Sequence, residues 1–198
     1  MNVAVVKLGV GNTASVMFAL ERLGARAVLT NDPTLVAEAE RVILPGVGAA
    51  AHAMRLLAAK KLAPVLRAFS RPLLGICLGQ QLLFRSSEEG DAETLGLIPG
   101  RVKRLPASAA APTPHMGWTQ IAPVRENALL EGVGARDYAY FVHSFVCPAS
   151  DATIATASYG LSFPAMVAAG NAFGCQFHPE RSGAAGAQIL RNFLSLPC

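Results

Sequence analysis

Residues 3–87 alternate short, almost wholly apolar runs with longer segments in which apolar residues recur at helical spacing. The apolar runs are VAVV (3–6), ARAVLT (25–30), RVIL (41–44) and RPLLGI (71–76). Helical patterns follow them at 13–24, 34–40, 49–69 and 79–87. Because strands that are apolar on both sides need cover on both faces, this alternation predicts a parallel sheet between two layers of helices.

The second half of the chain has shorter runs separated by turn residues. After a Pro/Ala-rich connector at 106–115, the strand-like runs are TQIAPV (119–124), DYAYFVHSFV (137–146), TIATASY (153–159), PAMVAA (164–169) and AFGCQF (172–177), and a final helix is expected at 183–196. Short strands with turns between them are typical of antiparallel pairing. We therefore predict one α/β domain over residues 1–198, with a central, mostly parallel sheet flanked by helices and an added antiparallel section.

Composition excludes several classes of protein. An apolar fraction of 52% and a charged fraction of 15% in 198 residues are typical of a well-packed domain. The basic residues are scattered, so no nucleic-acid partner is expected. No apolar run reaches membrane-spanning length and the N-terminus lacks a signal-peptide pattern, so we expect a cytoplasmic protein with no membrane partner. The four cysteines show no C-x-x-C spacing, which argues against a metal site or a disulfide framework.

The stretch GICLG places Cys77 between Gly75 and Gly79, where a predicted strand gives way to a helix. This pattern has the form of a nucleophile elbow, a sharp strand-to-helix turn that exposes a reactive side chain. Glycine at both flanks lets the strand and the helix approach closely. The helix N-terminus would stabilise a thiolate, and the Leu78 amide would face an oxyanion. The alternative is a buried structural cysteine beside packing glycines.

A cysteine nucleophile needs a base, and the segment FHPE offers one. Pro179 favours extended geometry at His178, and residues two apart in an extended segment project to the same side. Glu180 can therefore orient the His178 imidazole, which would complete a nucleophile, base and orienter set. Taken alone, this segment favours a strand-end turn with a solvated histidine and glutamate; taken together with the Cys77 elbow, it does not.

Two glycine-containing segments follow strands near the N-terminus. In PGVG (45–48), Gly46, Val47 and Gly48 could present a second oxyanion donor, or could form a plain turn. GVGNTA (9–14), with Asp32 further on, matches the dinucleotide-binding fingerprint. That match stands alone and its acidic residue falls in a turn-like TNDP, so it is weak support for nucleotide binding.

Together, GICLGQQ and FHPE resemble the class I (triad) glutamine amidotransferases, in the expected order and about a hundred residues apart. Within that family, LPGVGAA, LGLIPGRVKRL, PHMGW, YFVHSF and QFHPERSG resemble the glutaminase subunits of imidazole glycerol phosphate synthase over nearly the whole chain. The chain departs from the usual pattern at Lys7-Leu8-Gly9, where these subunits carry Asp-Tyr-Gly.

The resemblance implies a role for each matching residue. Cys77 would be the nucleophile, His178 the base and Glu180 its orienter, with Val47 and Leu78 as oxyanion donors. Glutamine would be bound by Gly46, Gly48, Gln81, His143, Ser144 and Phe145. No metal or organic cofactor is implied. Ammonia would pass to a (β/α)8-barrel cyclase subunit in a heterodimer, which forms imidazole glycerol phosphate and AICAR in histidine biosynthesis.

The sequence leaves three other interpretations open. A glutaminase of anthranilate or aminodeoxychorismate synthesis shares the triad, but the pair PHMGW and YFVHSF argues against it. A stand-alone cysteine hydrolase, such as a γ-glutamyl hydrolase, would be fully active without a partner. A catalytically silent scaffold is disfavoured by the complete triad.

Overall fold

The structure is a computed structural model and describes residues 2–9 and 13–198. Its helices are α1 (Thr13–Arg22), α2 (Pro33–Glu38), α3 (Ala50–Ala59), α4 (Leu62–Ala68), α5 (Leu78–Leu83) and α6 (Gly183–Ser195). Its strands are β1 (Asn2–Val6), β2 (Arg26–Thr30), β3 (Arg41–Gly46), β4 (Leu73–Cys77), β5 (Phe84–Ser87), β6 (Ala92–Glu93), β7 (Ile98–Arg104), β8 (His115–Gln120), β9 (Ala122–Pro123), β10 (Tyr138–His143), β11 (Phe145–Val146), β12 (Thr153–Tyr159), β13 (Leu161–Ala169) and β14 (Ala172–Cys175). Short 3-10 turns lie at Ala128–Leu130 and Pro179–Arg181.

The central sheet has eight strands in the order β2-β1-β3-β4-β14-β13-β12-β9. The first five are parallel to one another, and β13, β12 and β9 continue the sheet in antiparallel pairing. Two smaller sheets, β8-β10 and β6-β5-β7-β11, complete the fold. The predicted α/β architecture is confirmed, and part of the antiparallel section extends the parallel sheet itself.

Alternate side chains of each central strand enter different apolar clusters. Val3 and Val5 of β1 pack with residues of α1 and α6, whereas Ala4 and Val6 pack with residues of α2 to α5. This two-sided burial explains why the strands are apolar at nearly every position. In the part of the chain that the structure describes, no helix has the length and apolar character needed to span a bilayer.

Two of the predicted helices differ from the structure by more than one or two residues at an end. The helix expected over 79–87 ends at Leu83, and Phe84–Ser87 instead forms β5, which pairs with β6 and β7. The helix expected over 49–69 divides into α3 and α4 at Lys61, which has a φ of 56°. Pro64 lacks an amide hydrogen, so it fits the first turn of a new helix better than the middle of a long one.

The carboxyl ends of three neighbouring parallel strands meet at one edge of the sheet. Gly46, the last residue of β3, pairs with Cys77, the last residue of β4. On the other side of β4, strand β14 ends at Cys175 and leads directly to His178. The fold therefore brings together segments that are far apart in the sequence, at the edge where open α/β sheets bind ligands.

Candidate active site

Cys77 occupies a sharp corner between β4 and α5. Its backbone has φ of 54° and ψ of −109°, which is unusual for a residue with a side chain, and α5 begins at the next residue. Backbone strain of this kind clusters at functional sites. The Leu78 amide is the first of α5, so it lacks a partner within the helix. The corner therefore has the geometry of the predicted nucleophile elbow.

The glycines around Cys77 are required by close backbone contacts. A Cβ on Gly75 would lie 2.4 Å from the Gly79 carbonyl oxygen, and one on Gly79 would lie 1.8 Å from the Leu44 carbonyl oxygen. Both distances are far below van der Waals contact, so no other residue fits without movement of the backbone. This confirms that the flanking glycines let strand and helix approach closely.

His178 and Glu180 form a buried hydrogen-bonded pair. His178 Nδ1 lies 2.9 Å from Glu180 Oε1, and the Glu180 side chain is only 2% exposed. Burial disfavours the charged imidazolium, but hydrogen bonds with Cys77 and Glu180 and their negative charges outweigh it, so the pKa of His178 rises to about 10. Since Nδ1 faces Glu180, Nε2 is the ring nitrogen left for Cys77. The structure thus brings the three predicted residues together.

Gln176 is a buried residue near the thiol that the sequence analysis missed. Its Nε2 lies 3.8 Å from Cys77 Sγ, and its Oε1 accepts a hydrogen bond from Gln81 Nε2 at 3.0 Å. The signal that could have found it is spacing, because Gln176 lies two residues before His178 in an extended segment and projects to the same side.

A cavity of about 390 Å³ opens at this corner, a size typical of small-molecule sites. Nine predicted residues line it: Val47, Gly48, Cys77, Leu78, Gln81, His143, Ser144, Phe145 and His178. Gly46 is not among the lining residues; it lies beside Cys77, where a Cβ would be 3.1 Å from Leu78 Cβ. Its contact with substrate stays a prediction, and the Glu180 carboxylate supports His178 without lining the cavity.

Four further residues line the cavity without having been predicted: Ala49, Glu89, Pro114 and Val142. Glu89 is the acidic one, and its Oε2 accepts a hydrogen bond from the Ala50 amide at the start of α3 at 2.8 Å. In the sequence it belongs to a polar turn, SSEEG, that gave no sign of facing a site. Its carboxylate makes the cavity suitable for a ligand with a positive group.

The described residues also bear on a metal site and on the dinucleotide motif. Among residues 2–9 and 13–198, no group of three or more His, Cys, Asp or Glu side chains could hold a metal ion. In the proposed dinucleotide motif, Val10, Gly11 and Asn12 lie outside the described residues. Asp32 caps α2, since its Oδ1 accepts from the Thr34 amide at 2.8 Å.

Comparison with known proteins agrees with this geometry. The family model for glutamine amidotransferase class-I matches residues 5–196. The chain belongs to this family. Two relatives of this amidotransferase are both called imidazole glycerol phosphate synthase subunit HisH. The one from Xanthomonas euvesicatoria pv. vesicatoria is 50% identical over 98% of each chain, and the one from Idiomarina loihiensis is 49% identical over 99% of this chain and 98% of its own.

A solved structure shares the fold of this amidotransferase at much lower sequence identity. A crystal structure of a glutamine amidotransferase superimposes with a TM-score of 0.73 at 22% identity, covering 97% of this chain and 96% of the other. The family and fold that GICLGQQ and FHPE indicated in the sequence are therefore confirmed.

Proposed function

We propose that this chain is the glutaminase subunit of imidazole glycerol phosphate synthase and supplies ammonia for histidine biosynthesis. The observation that carries the proposal is the arrangement of Cys77, His178 and Glu180 at one small cavity. The reaction is inferred from the relatives. They share about half of their residues with this chain over nearly its whole length, and they are named as subunits of this synthase.

The first chemical step is attack by Cys77 on the side-chain amide carbon of glutamine. A protonated His178 next to the sulfur favours the thiolate form, and Gln176 Nε2 can donate to it. As the C–S bond forms, the carbonyl π electrons move to oxygen. The Leu78 and Val47 amides would bind the resulting oxyanion, since both residues line the cavity at the elbow.

The next steps release the two products. When the intermediate collapses, the C–N bond breaks and His178 donates its proton to the leaving ammonia, which leaves a thioester on Cys77. His178, now neutral, takes a proton from water as the water oxygen attacks the thioester carbon. The C–S bond then breaks and glutamate leaves. Glutamine and water thus give glutamate and ammonia, and no cofactor is consumed.

Substrate recognition requires groups for both ends of glutamine. Gln81, Gly48 and the segment 143–145 line the cavity and offer hydrogen-bonding groups for the polar atoms. We assign the α-ammonium group to Glu89, which is the acidic residue among the lining side chains. This pairing would distinguish glutamine from a free amide, because a ligand without an ammonium group leaves the Glu89 carboxylate without a positively charged partner.

The product has a chemical reason to pass directly to a partner. Ammonia released to water at neutral pH is protonated and loses its nucleophilicity, so a sealed route to a (β/α)8-barrel cyclase in a heterodimer would preserve it. The partner could also control the rate. Gly48 has a φ of 88° and lies in the loop that carries Val47, so a bound partner can favour one orientation of that amide. One oxyanion donor is worth about a hundred- to a thousand-fold in rate.

The test is covalent labelling followed by kinetics. An electrophilic glutamine analogue should label Cys77 in preference to Cys147, Cys175 and Cys198, as located by peptide mass spectrometry. Cys77→Ala should abolish glutamate release while the circular dichroism spectrum and melting temperature stay close to wild type. Glutamate release by Cys77→Ala at the wild-type rate, measured with the cyclase subunit present, would refute the proposed function. Full activity without that subunit would instead indicate a stand-alone hydrolase.

A further inference from the structure

Two buried histidines lie side by side behind the cavity. His115 and His143 are directly opposite in the β8-β10 pair, and His115 Nδ1 lies 2.9 Å from His143 Nε2. The His115 ring is stacked against Tyr159 at 4.0 Å and Phe141 at 5.0 Å between centroids. His143 lines the cavity, whereas His115 does not. The triad chemistry assigns no role to His115.

The partners of the two rings permit a single arrangement of their hydrogens when both are neutral. His143 Nδ1 lies 3.0 Å from the Phe145 carbonyl oxygen, which can only accept, so Nδ1 carries the hydrogen. Nε2 of the neutral ring is then an acceptor, and His115 Nδ1 must donate to it. His115 Nε2 accepts from the Thr119 hydroxyl at 2.8 Å. Burial lowers the pKa of each histidine to about 4, so both rings are neutral at physiological pH.

The chain of hydrogen bonds continues to the nucleophile. The Phe145 carbonyl that accepts from His143 also accepts from Gln81 Nε2 at 3.0 Å. The same Gln81 amide donates to Gln176 Oε1, and Gln176 Nε2 lies 3.8 Å from Cys77 Sγ. The Phe145 carbonyl therefore links the histidine pair to the glutamine pair next to the thiol, and its orientation affects both.

We propose that His115 is a positioning residue for the glutaminase reaction, which holds His143 as its Nδ1–H tautomer and thereby fixes segment 143–145 and Gln81 for substrate binding. The inference rests on the proposed function, but the histidine geometry can be tested without it. Without the His115 donor, His143 Nε2 would be buried and unpaired. The His143 ring would then either move its hydrogen from Nδ1 to Nε2 or take up a second proton. Moving the hydrogen to Nε2 removes the donor to the Phe145 carbonyl.

Ionisable groups near His115 and His143 could also make the activity of a variant depend on pH. Around His143 these are His115 on β8, His178 after β14 and Cys77 on β4, whose Sγ lies 3.6 Å from the Val142 carbonyl oxygen. The ionisable group stacked on the His115 ring is Tyr159 on β12. A histidine that titrates between pH 5.5 and 7.5 only in a His115 variant is therefore His143 released from its partner.

The matched variants are His115→Phe and His115→Asn. Phenylalanine keeps a ring for the stack and removes the donor, whereas asparagine keeps an amide donor near the position of Nδ1. With the cyclase subunit present, we expect His115→Phe to raise the KM for glutamine at least tenfold with a smaller change in kcat. The kcat/KM of this variant should also fall below about pH 6.5, because His143 without its partner becomes protonated there. His115→Asn should restore a KM closer to wild type.

Ring-nitrogen NMR of histidine-labelled protein tests the geometry directly, even where a variant folds poorly. In the wild type, both rings should show the Nδ1–H tautomer without titrating between pH 5.5 and 7.5. Wild-type His143 found as the Nε2–H tautomer would overturn the inference, as would a His115→Phe variant with wild-type KM and an unchanged pH profile. Loss of the proposed function would look different, because the wild type itself would then release no glutamate.

Discussion

Nδ1 of His178 lies 2.9 Å from Oε1 of Glu180, and the Glu180 side chain is almost fully buried. This contact makes Nε2 the nitrogen that faces Cys77 and keeps the imidazolium stable in a buried site. Burial by itself would favour the neutral ring; the contacts with Cys77 and Glu180 raise the pKa of His178 to about 10. In the proposed mechanism, His178 therefore holds a proton for the leaving ammonia throughout the neutral range.

Glu180→Gln tests this electrostatic role while keeping the shape of the side chain. Removing the negative charge disfavours the imidazolium, so the pKa of His178 falls and the alkaline limb of the kcat/KM profile should move to lower pH. We expect turnover at neutral pH to drop, but by less than the hundred- to ten-thousand-fold typical of losing an acid–base group, as in His178→Ala. An alkaline limb that does not move in Glu180→Gln would show that Glu180 does not support the imidazolium.

Glu89→Gln tests the assignment of the glutamine ammonium group. Glutamine at this position retains an oxygen that can accept from the Ala50 amide but carries no charge. We expect KM to rise about ten- to a hundred-fold with kcat nearly unchanged, because a charged hydrogen bond worth about 1.5–3 kcal/mol is lost. The matched control is Glu88→Gln, since Glu88 is the adjacent carboxylate and instead accepts from the exposed Arg104 amide. Equal KM values for the two variants would remove Glu89 from the substrate site.

Gly79→Ala tests the packing of the elbow. Its Cβ would lie 1.8 Å from the Leu44 carbonyl oxygen, so β3 and α5 would have to separate. We expect a loss of about 1–3 kcal/mol or more in the free energy of unfolding, together with loss of activity. Gly134→Ala is the control, because a Cβ there has no neighbour within 4 Å. Chemical denaturation of both variants gives the comparison, and equal stability would contradict the close contact at Gly79.

The buried histidine pair predicts how stability changes on the acid side. Because the pKa of each ring is lowered to about 4 in the fold, the unfolded chain binds more protons as pH falls below about 6.5. Stability should therefore fall from pH 6.5 towards 4, with a slope of up to about 1.4 kcal/mol per pH unit for each histidine. His178 contributes with the opposite sign, since its raised pKa stabilises the fold below pH 6.5 and that gain is lost as pH rises towards 10.

Denaturant titrations of the wild type and His115→Phe across pH 4–7 measure this slope. The variant lacks one of the two rings, and we expect the pKa of His143 to return towards its ordinary value. The part of the slope that comes from these histidines should therefore be less than half that of the wild type. Identical slopes would mean that the two histidines do not exclude protons in the fold.

The sequence predicted the parts of the site that depend on local pattern. GICLG indicated the elbow because the two glycines and the cysteine lie within five consecutive residues. FHPE indicated the His178–Glu180 contact because the two residues are two apart in one segment. Glu89, Gln176 and the His115–His143 contact were missed. Each of these residues acts through a partner distant in the sequence, and only the strand order brings them together.

The same distinction explains the errors in secondary structure. Phe84–Ser87 follows α5 with no glycine or proline to end the helix, but it pairs with β7, whose position the local sequence does not indicate. The antiparallel strands were predicted individually, whereas their addition to the parallel sheet depends on β14 pairing with β4 at residues about a hundred positions apart.

In the proposed function, Cys77 releases ammonia that a partner subunit uses directly. The most direct test supplies amide-15N glutamine to the chain and its cyclase subunit in the presence of excess unlabelled ammonium, and measures the isotope in the imidazole product by mass spectrometry. We expect product carrying 15N with the wild type and unlabelled product with Cys77→Ala. Unlabelled product with the wild type, or labelled product with Cys77→Ala, would contradict it.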